Sequence, residues 1–532
     1  MCLLATGLRG SLDHWSAPRV RRISRCEKEI ACSRRHPVTG YGLSTQNRKN
    51  SGRSSVSFGL VRHRTRGEEP ARGCCCGGGD EEAQPTVRTS SARTRRARVT
   101  AGYDTSRPMP RDFARLSPRA AVERLRPGMK VLVPPACGEP VTLLAEVCAQ
   151  AERLRDLTLL GGIHLGDFPH ARPEHAALGA ATWHMSPRLE DARRRGRVEF
   201  VPVRYFDVVT EFARGGHWAP DCVLVHTAPP DAGGYLSLGV AVGVSLPAAR
   251  TAPLVIAQVN PRMPRTRGNC WLHRSQVDAW VDVDEPLVEY PPPTVGEVER
   301  AVGRHVAALV PDGAAVQVGV GGIPQAVLEA LDGHRDLALH SLLVDAAVGL
   351  VERGVVTCAA KRLHRGRMDV AEAMGTRRLF DFLRDNDRVN MESSEFVHDP
   401  EIVARLDRFV SINSALEIDL TGQVTAESLG GRQVAGIGGQ FDFVLGASRS
   451  RGGASIIALP STGRDGSVSR IVPRLAAGAA VTTPRFLADW VVTEHGAAKL
   501  KGRGERERAA ALIAVAHPRF REELERAAAT AA

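Results

Sequence analysis

The 532-residue chain has no apolar run of 18 or more residues, so no membrane-spanning helix is expected. No C-x-x-C pair and no His/Cys cluster falls at zinc spacing, and no bound metal is expected. The glycine turn Gly319-Val320-Gly321-Gly322-Ile323-Pro324 is not G-x-G-x-x-G and lacks the G-K-[ST] ending of a phosphate loop. Net charge is absent from most of the chain. The total is +12, but residues 1–108 hold 21 Lys+Arg against 9 Asp+Glu, and residues 109–532 hold 50 of each. The basic excess that would point to nucleic acid is confined to a leader, so no such partner is expected for the body.

Six of the eleven cysteines also lie in the leader, including Cys74-Cys75-Cys76. Cys137, Cys148, Cys222, Cys270 and Cys358 are widely spaced and read as free buried thiols in a reducing compartment. The leader is rich in Arg, Ser, Gly and Thr and has no sustained periodicity. It reads as a disordered basic tail, a transit peptide, or translated upstream sequence with the true start at Met109. The last is favoured because regular patterning begins directly after Met109. A cytoplasmic location is expected, or a mitochondrial one if the leader is a transit peptide.

Hydrophobic residues make up 43% of the chain, enough for globular folding of the body. Ser117-Pro118 reads as the N-cap and first position of a helix running to about Leu125. Short apolar runs follow as strands: 130–133, 157–160, 198–203, 222–225 and 254–259, with helical patterns between many of them. Alternation of this kind predicts α/β architecture with parallel strands. Tyr290-Pro291-Pro292-Pro293 reads as a linker, since consecutive prolines suit neither helix interior nor central strand. A helix is predicted from about Val295 to Leu309. Strand, Gly-x-Pro turn and helix occur at Gly138-Glu139-Pro140 and again at Gly322-Ile323-Pro324. Two similar open α/β domains are therefore expected, at 109–290 and 295–532, with a ligand cleft at the carboxyl ends of the strands.

Gly319, Gly321 and Gly322 lie between a strand and a helix, where backbone amides can meet a ligand. A second run, Gly436-Ile437-Gly438-Gly439-Gln440-Phe441-Asp442-Phe443, reads as a loop whose amides could meet a carbonyl oxygen. Arg449, Arg451 and Arg470 follow closely and could pair with phosphates; taken singly, each is equally a solvated surface charge.

Several segments resemble the acetyl-CoA hydrolase/4-hydroxybutyrate CoA-transferase family, in order from about residue 110 to 525. They include 234–239, 259–268, Gln317–Pro324, Ser411–Gln423, Gly436–Phe443, Val492–Gly496 and 516–521. The resemblance implies coenzyme A as a substrate, acyl-CoA and small carboxylates as partners, and a homo-oligomer. It also implies a ping-pong reaction in which a glutamate attacks the thioester. In the family that glutamate stands in a His-Thr-Glu-Met-like strand end. Here the chain reads His340-Ser341-Leu342-Leu343-Val344-Asp345. Aligned from His340, Leu342 takes the nucleophile's place; aligned from Asp345, the segment is one residue short. On a continued strand Asp345 would face away, and Glu392 and Glu395 are the substitutes considered. Gln317 and Gly439 match a family glutamine near the nucleophile and a glycine of the oxyanion site. His398 stands where the family has an asparagine that polarises the acyl carbonyl.

Three readings follow. One is a family enzyme working without the usual covalent route, for instance with His398 activating water for thioester hydrolysis. Another is a CoA or acyl-CoA binding protein, a sensor or a partner subunit that has lost transfer. In the third, the basic leader binds acidic partners on its own.

Overall fold

A computed structural model describes residues 114–213 and 215–531; the leader readings and Met109 lie outside them. The described residues build two eight-stranded sheets. The first holds β1 (Ala114–Arg115), β2 (Lys130–Leu132), β3 (Thr158–Gly161), β4 (Gly179–Thr182), β5 (Val198–Phe200), β6 (Cys222–Thr227), β7 (Leu254–Val259) and β8 (Ala279–Asp282). The second holds β9 (Ala315–Val318), β10 (Ala338–Leu343), β11 (Met368–Ala373), β12 (Val389–Met391), β13 (Phe409–Ser414), β14 (Ala454–Ala458), β15 (Trp490–Thr493) and β16 (Gly496–Lys499). All pairs are parallel except β15 with β16.

The spatial orders are β5-β4-β3-β2-β6-β7-β8-β1 and β12-β11-β10-β9-β13-β14-β15-β16. Seven strands follow the same path in each half. Three are added in one direction from the first, and the chain then crosses to the first strand's other side for three more. The weak repeat of Gly-x-Pro turns is therefore a repeat of topology. In the first half the turn leads from β2 into α2 (Val141–Ala149), after the short helix α1 (Pro118–Val122); in the second it leads from β9 into α5 (Gly322–Ala330). Chain order reverses between β2 and β6 and between β9 and β13, the points where such sheets open a crevice.

Continuous apolar runs form these strands because both faces of a parallel sheet are covered. Cys222–Thr227 is buried at every position. Ser117 caps α1 through its hydroxyl at 3.2 Å from the Ala120 amide, with Pro118 at the first position; the helix is one turn shorter than expected. α3 (Tyr205–Phe212) and α4 (Glu297–Ala307) follow, the latter started by Glu299, whose carboxylate accepts from the Gly296 amide at 3.0 Å. The strand predicted over 198–203 stops at Phe200, and Pro202 fits that stop because it has no amide to offer a ladder. Tyr290-Pro291-Pro292-Pro293 has no regular structure, and the Tyr290 amide donates to Gly375 at 2.9 Å.

One apolar core runs through both halves, from Leu132 to Val492. A second covers the other face of the first sheet under α1 and α2. A third joins the second sheet to helices 505–514 and 518–531. The five described cysteines are buried and unpaired. Among the described residues no helix is long and apolar enough to cross a membrane.

Candidate active site

At the carboxyl ends of β9, β10, β11 and β13 lies a narrow cavity of about 40 Å³. It is lined by Gln317 on β9 and Gly319 just after it, Ser341 and Leu342 on β10, Glu372 on β11 and Asn413 on β13. The first half closes it with Pro135, Ala136, Ile163 and Tyr205. His398, Gly439, Gln440 and Phe443 complete the wall. Gln317 and Asn413 face each other across the crevice where chain order reverses, with Asn413 Nδ2 donating to Gln317 Oε1 at 3.2 Å. A cavity this small holds a water or two, so a thioester enters only if the two halves part.

Much of the predicted set is brought together: Gln317, Gly319, Leu342, His398 and Gly439. Gly321 and Gly322 are not in this wall. Gly321 has φ +118 and precedes α5, and a Cβ on Gly322 would lie 3.2 Å from Glu299 Cγ, so both serve the turn and helix packing. Gly438, at φ +60, accepts from the Tyr205 amide at 2.9 Å through its carbonyl. A side chain at Gly439 would collide with Phe443 and His398, at 2.6 and 2.7 Å from its Cβ.

The expected loop over 436–443 is a loop only to Gly439. With Asp345–Glu352 as α6, the chain from Gln440 is helix α7 (Gln440–Arg449). The helix separates the glycines from the arginines that follow them in sequence. Ten helical residues span about 15 Å, so Arg449 and Arg451 fall at the far end, beside the start of β14. Arg451 pairs there with Asp407, and Arg449 lines a shallow surface groove with Arg362 and Arg405. Arg470 donates to the carbonyls of Thr462 and Leu416.

Asp345 also departs from expectation. It opens α6 rather than continuing β10, so strand parity does not place it; its carboxylate accepts from the Thr376 amide and hydroxyl at 2.8 and 2.7 Å. Glu392 is held by Asn269 and Asn390, away from the cavity wall. The carboxylate at the cavity is one that sequence reasoning passed over. Glu372 is 6% exposed, and Tyr205 Oη donates to its Oε1 at 2.8 Å. Burial raises its carboxyl to about 7, against the lowering effect of Tyr205. The available signal was a lone glutamate inside the buried strand Met368–Ala373.

Backbone geometry beside Leu342 is unusual. Ser341 has φ +88, and the β10–β11 register slips between Ser341 and Leu342. Ser341 pairs with Val370, whereas Leu342 pairs with Glu372, leaving Ala371 as the extra residue of a bulge. Strain of this kind concentrates at functional sites.

His398 is buried, its ring 4.5 Å from Tyr205 and 4.8 Å from Phe443 between centroids. Burial, then the His340 ring, lowers it to about 3, so it stands neutral. Its Nδ1 has no hydrogen-bond partner among the described residues. Neither Nε2 nor Oε1 of Gln440 has one, although Gln440 is only 2% exposed. Buried polar atoms are nearly always paired, so these three mark a place for a polar ligand. α7 is anchored next to them by Asp442, which accepts from the Phe206 amide at 3.0 Å and Arg204 Nη1 at 3.1 Å.

Comparison with known proteins fits this arrangement. Residues 105–290 match the acetyl-CoA hydrolase/transferase N-terminal domain, and 375–528 match the C-terminal domain. The 4-hydroxybutyrate coenzyme A transferase of Clostridium kluyveri is 41% identical over 413 residues, covering 76% of this chain and 94% of the relative. The succinyl-CoA:cyclohexane-1-carboxylate CoA transferase of Geobacter metallireducens is 39% identical, with 77% and 94% covered. The crystal structure of RipA from Yersinia pestis superposes with a TM-score of 0.74 at 36% identity, over 78% of this chain and 97% of that one. The two matched segments flank Leu342 and Glu372 without including them, so they place the chain independently of β10 and β11. On this agreement the chain belongs to the acetyl-CoA hydrolase/transferase family.

Proposed function

We propose that this protein binds short-chain acyl-CoA and passes the CoA to a small carboxylate such as acetate. The observation that carries the reading is the orphaned Gln440 amide beside the orphaned His398 Nδ1, in a cavity with Gln317 and Gly439. A thioester with its pantetheine amides supplies a carbonyl and amide groups that could pair with an amide and a neutral imidazole. The Gly439 amide, at the start of α7, suits the oxyanion of a tetrahedral intermediate. Named activities of relatives point the same way: butyryl-CoA and acetate for the protein of Anaerostipes caccae, 4-hydroxybutyrate for that of Clostridium kluyveri.

Hydrolysis through His398 is less well supported. A ring lowered to about 3 is a weak base at neutral pH and cannot readily take a proton from water. The apolar Leu342 favours a second reading, a CoA-binding protein without transfer. One set of assays separates the two. Acetyl-, propionyl-, butyryl- and 4-hydroxybutyryl-CoA are supplied with and without acetate, alongside calorimetric titration of CoA. Acetate-dependent exchange supports transfer; binding without exchange supports the second reading. No CoA binding at millimolar concentration removes both.

A further inference from the structure

We propose that the carboxylate nucleophile has moved one strand: Glu372 on β11 attacks the thioester in place of the glutamate missing at Leu342 on β10. The inference rests on the transferase reading above.

The juxtaposition is built by the bulge. Without the slip at Ser341/Leu342, Ala371 would stand abreast of Leu342 and Glu372 would fall on the sheet's other face. With it, Glu372 pairs with Leu342 and both line the cavity. Neighbouring strands lie about 4.8 Å apart, so the displacement is within the reach of a glutamate side chain.

The surroundings are shaped for a carboxylate. A Cβ at Gly243 would lie 2.1 Å from Glu372 Oε1, so the carboxylate as placed packs directly against that glycine. Tyr205 donates the one hydrogen bond that the carboxylate receives among the described residues. A glutamate kept for structure alone would be paired on both oxygens or replaced by an apolar residue, since burying its charge is costly. This one is singly bonded and lines the same cavity as the orphaned Gln440 and His398.

The chemistry balances. A Glu372 oxygen adds to the acyl carbonyl, and the C–S bond breaks, giving a mixed anhydride and CoA thiolate. The thiolate attacks the Glu372 carbonyl, releasing the donor acid as a carboxylate and leaving a Glu372–CoA thioester. An acceptor carboxylate attacks that thioester and expels the thiolate. The thiolate then attacks the acceptor's acyl carbonyl, forming the new acyl-CoA and restoring Glu372. No oxidant, metal or net proton is needed.

The full-length protein is incubated with butyryl-CoA, and the adduct is located by intact-mass and peptide mass spectrometry. Glu372→Gln keeps size and hydrogen bonding but removes the nucleophile. It should lower transfer at least about a thousandfold and abolish the adduct while CoA affinity stays within a few fold. Adding Leu342→Glu to Glu372→Gln should restore part of the transfer, with the adduct at residue 342. An adduct mapped to Glu372 supports the inference. Transfer undiminished in Glu372→Gln, or a wild-type adduct elsewhere, overturns it and leaves the transferase reading standing. CoA binding with neither transfer nor adduct in the wild type overturns both the inference and the transferase reading.

Discussion

Glu372 carries a stability signature that does not depend on catalysis. Its folded carboxyl titrates near 7, against an ordinary value of 4.5. The folded state therefore holds a proton that the unfolded chain releases. That contribution is complete below about pH 4.5 and is lost as pH rises through 7. Glu372→Gln has no proton to lose. The variant should match the wild type near pH 4.5 and exceed it at pH 8 by up to about 3 kcal/mol, read from denaturant midpoints. A gap that does not widen with pH would mean the carboxyl is not buried as described. Tyr205 tests the same group from the other side. Its hydroxyl favours the charged form, so Tyr205→Phe should raise the Glu372 value further. If the carboxylate is the attacking form, kcat/KM climbs with pH through about 7 in the wild type, and that rise moves to higher pH in the variant. A pH profile that stays in place would remove Tyr205 as its positioning residue.

At the scale of elements, α7 does the most to assemble the site. Its first turn presents Gln440 and Phe443 to the cavity, and Asp442 ties it to the start of α3 through Phe206 and Arg204. Asp442 is fully buried, and desolvation raises its carboxyl to about 7 despite those donors. Asp442→Ala leaves the Phe206 amide without its acceptor and should cost about 1–3 kcal/mol in chemical denaturation. Asp442→Asn keeps an acceptor and should cost clearly less. Equal losses from the two would show that packing, not the hydrogen bond, is what residue 442 supplies. CoA affinity should fall with the alanine variant as well, because Tyr205 and Gly438 are joined by the same crossing.

For the whole molecule, the balanced charge of residues 109–532 and the placement of every described core within 114–531 lead to one expectation. A chain beginning at Met109 should unfold cooperatively and bind CoA with the affinity of the full protein, by calorimetry. Limited proteolysis of the full protein should trim toward that length first. Loss of folding on removing 1–108 would show that the leader belongs to the body. Polyanion binding by the full chain alone would support a separate leader function.

Much of this architecture was written in local pattern. Apolar runs of strand length, punctuated by glycine and proline, define the strands, and the twice-used Gly-x-Pro turn announces the topological repeat, because such signals act over a few residues. Gln317, Leu342 and Gly439, which the structure brings to one cavity, could be singled out because they stand in continuous motifs. Glu372, Tyr205 and Gln440 could not. Tyr205 comes from the other half of the chain, and Gln440 becomes conspicuous only once its partners can be counted. Glu372 reaches the cavity through a one-residue slip against a strand some 30 residues earlier, at Ser341/Leu342. A sequence read along one dimension shows that no carboxylate stands between His340 and Val344. Register and burial, which depend on which strands lie side by side, decide which carboxylate stands beside the gap.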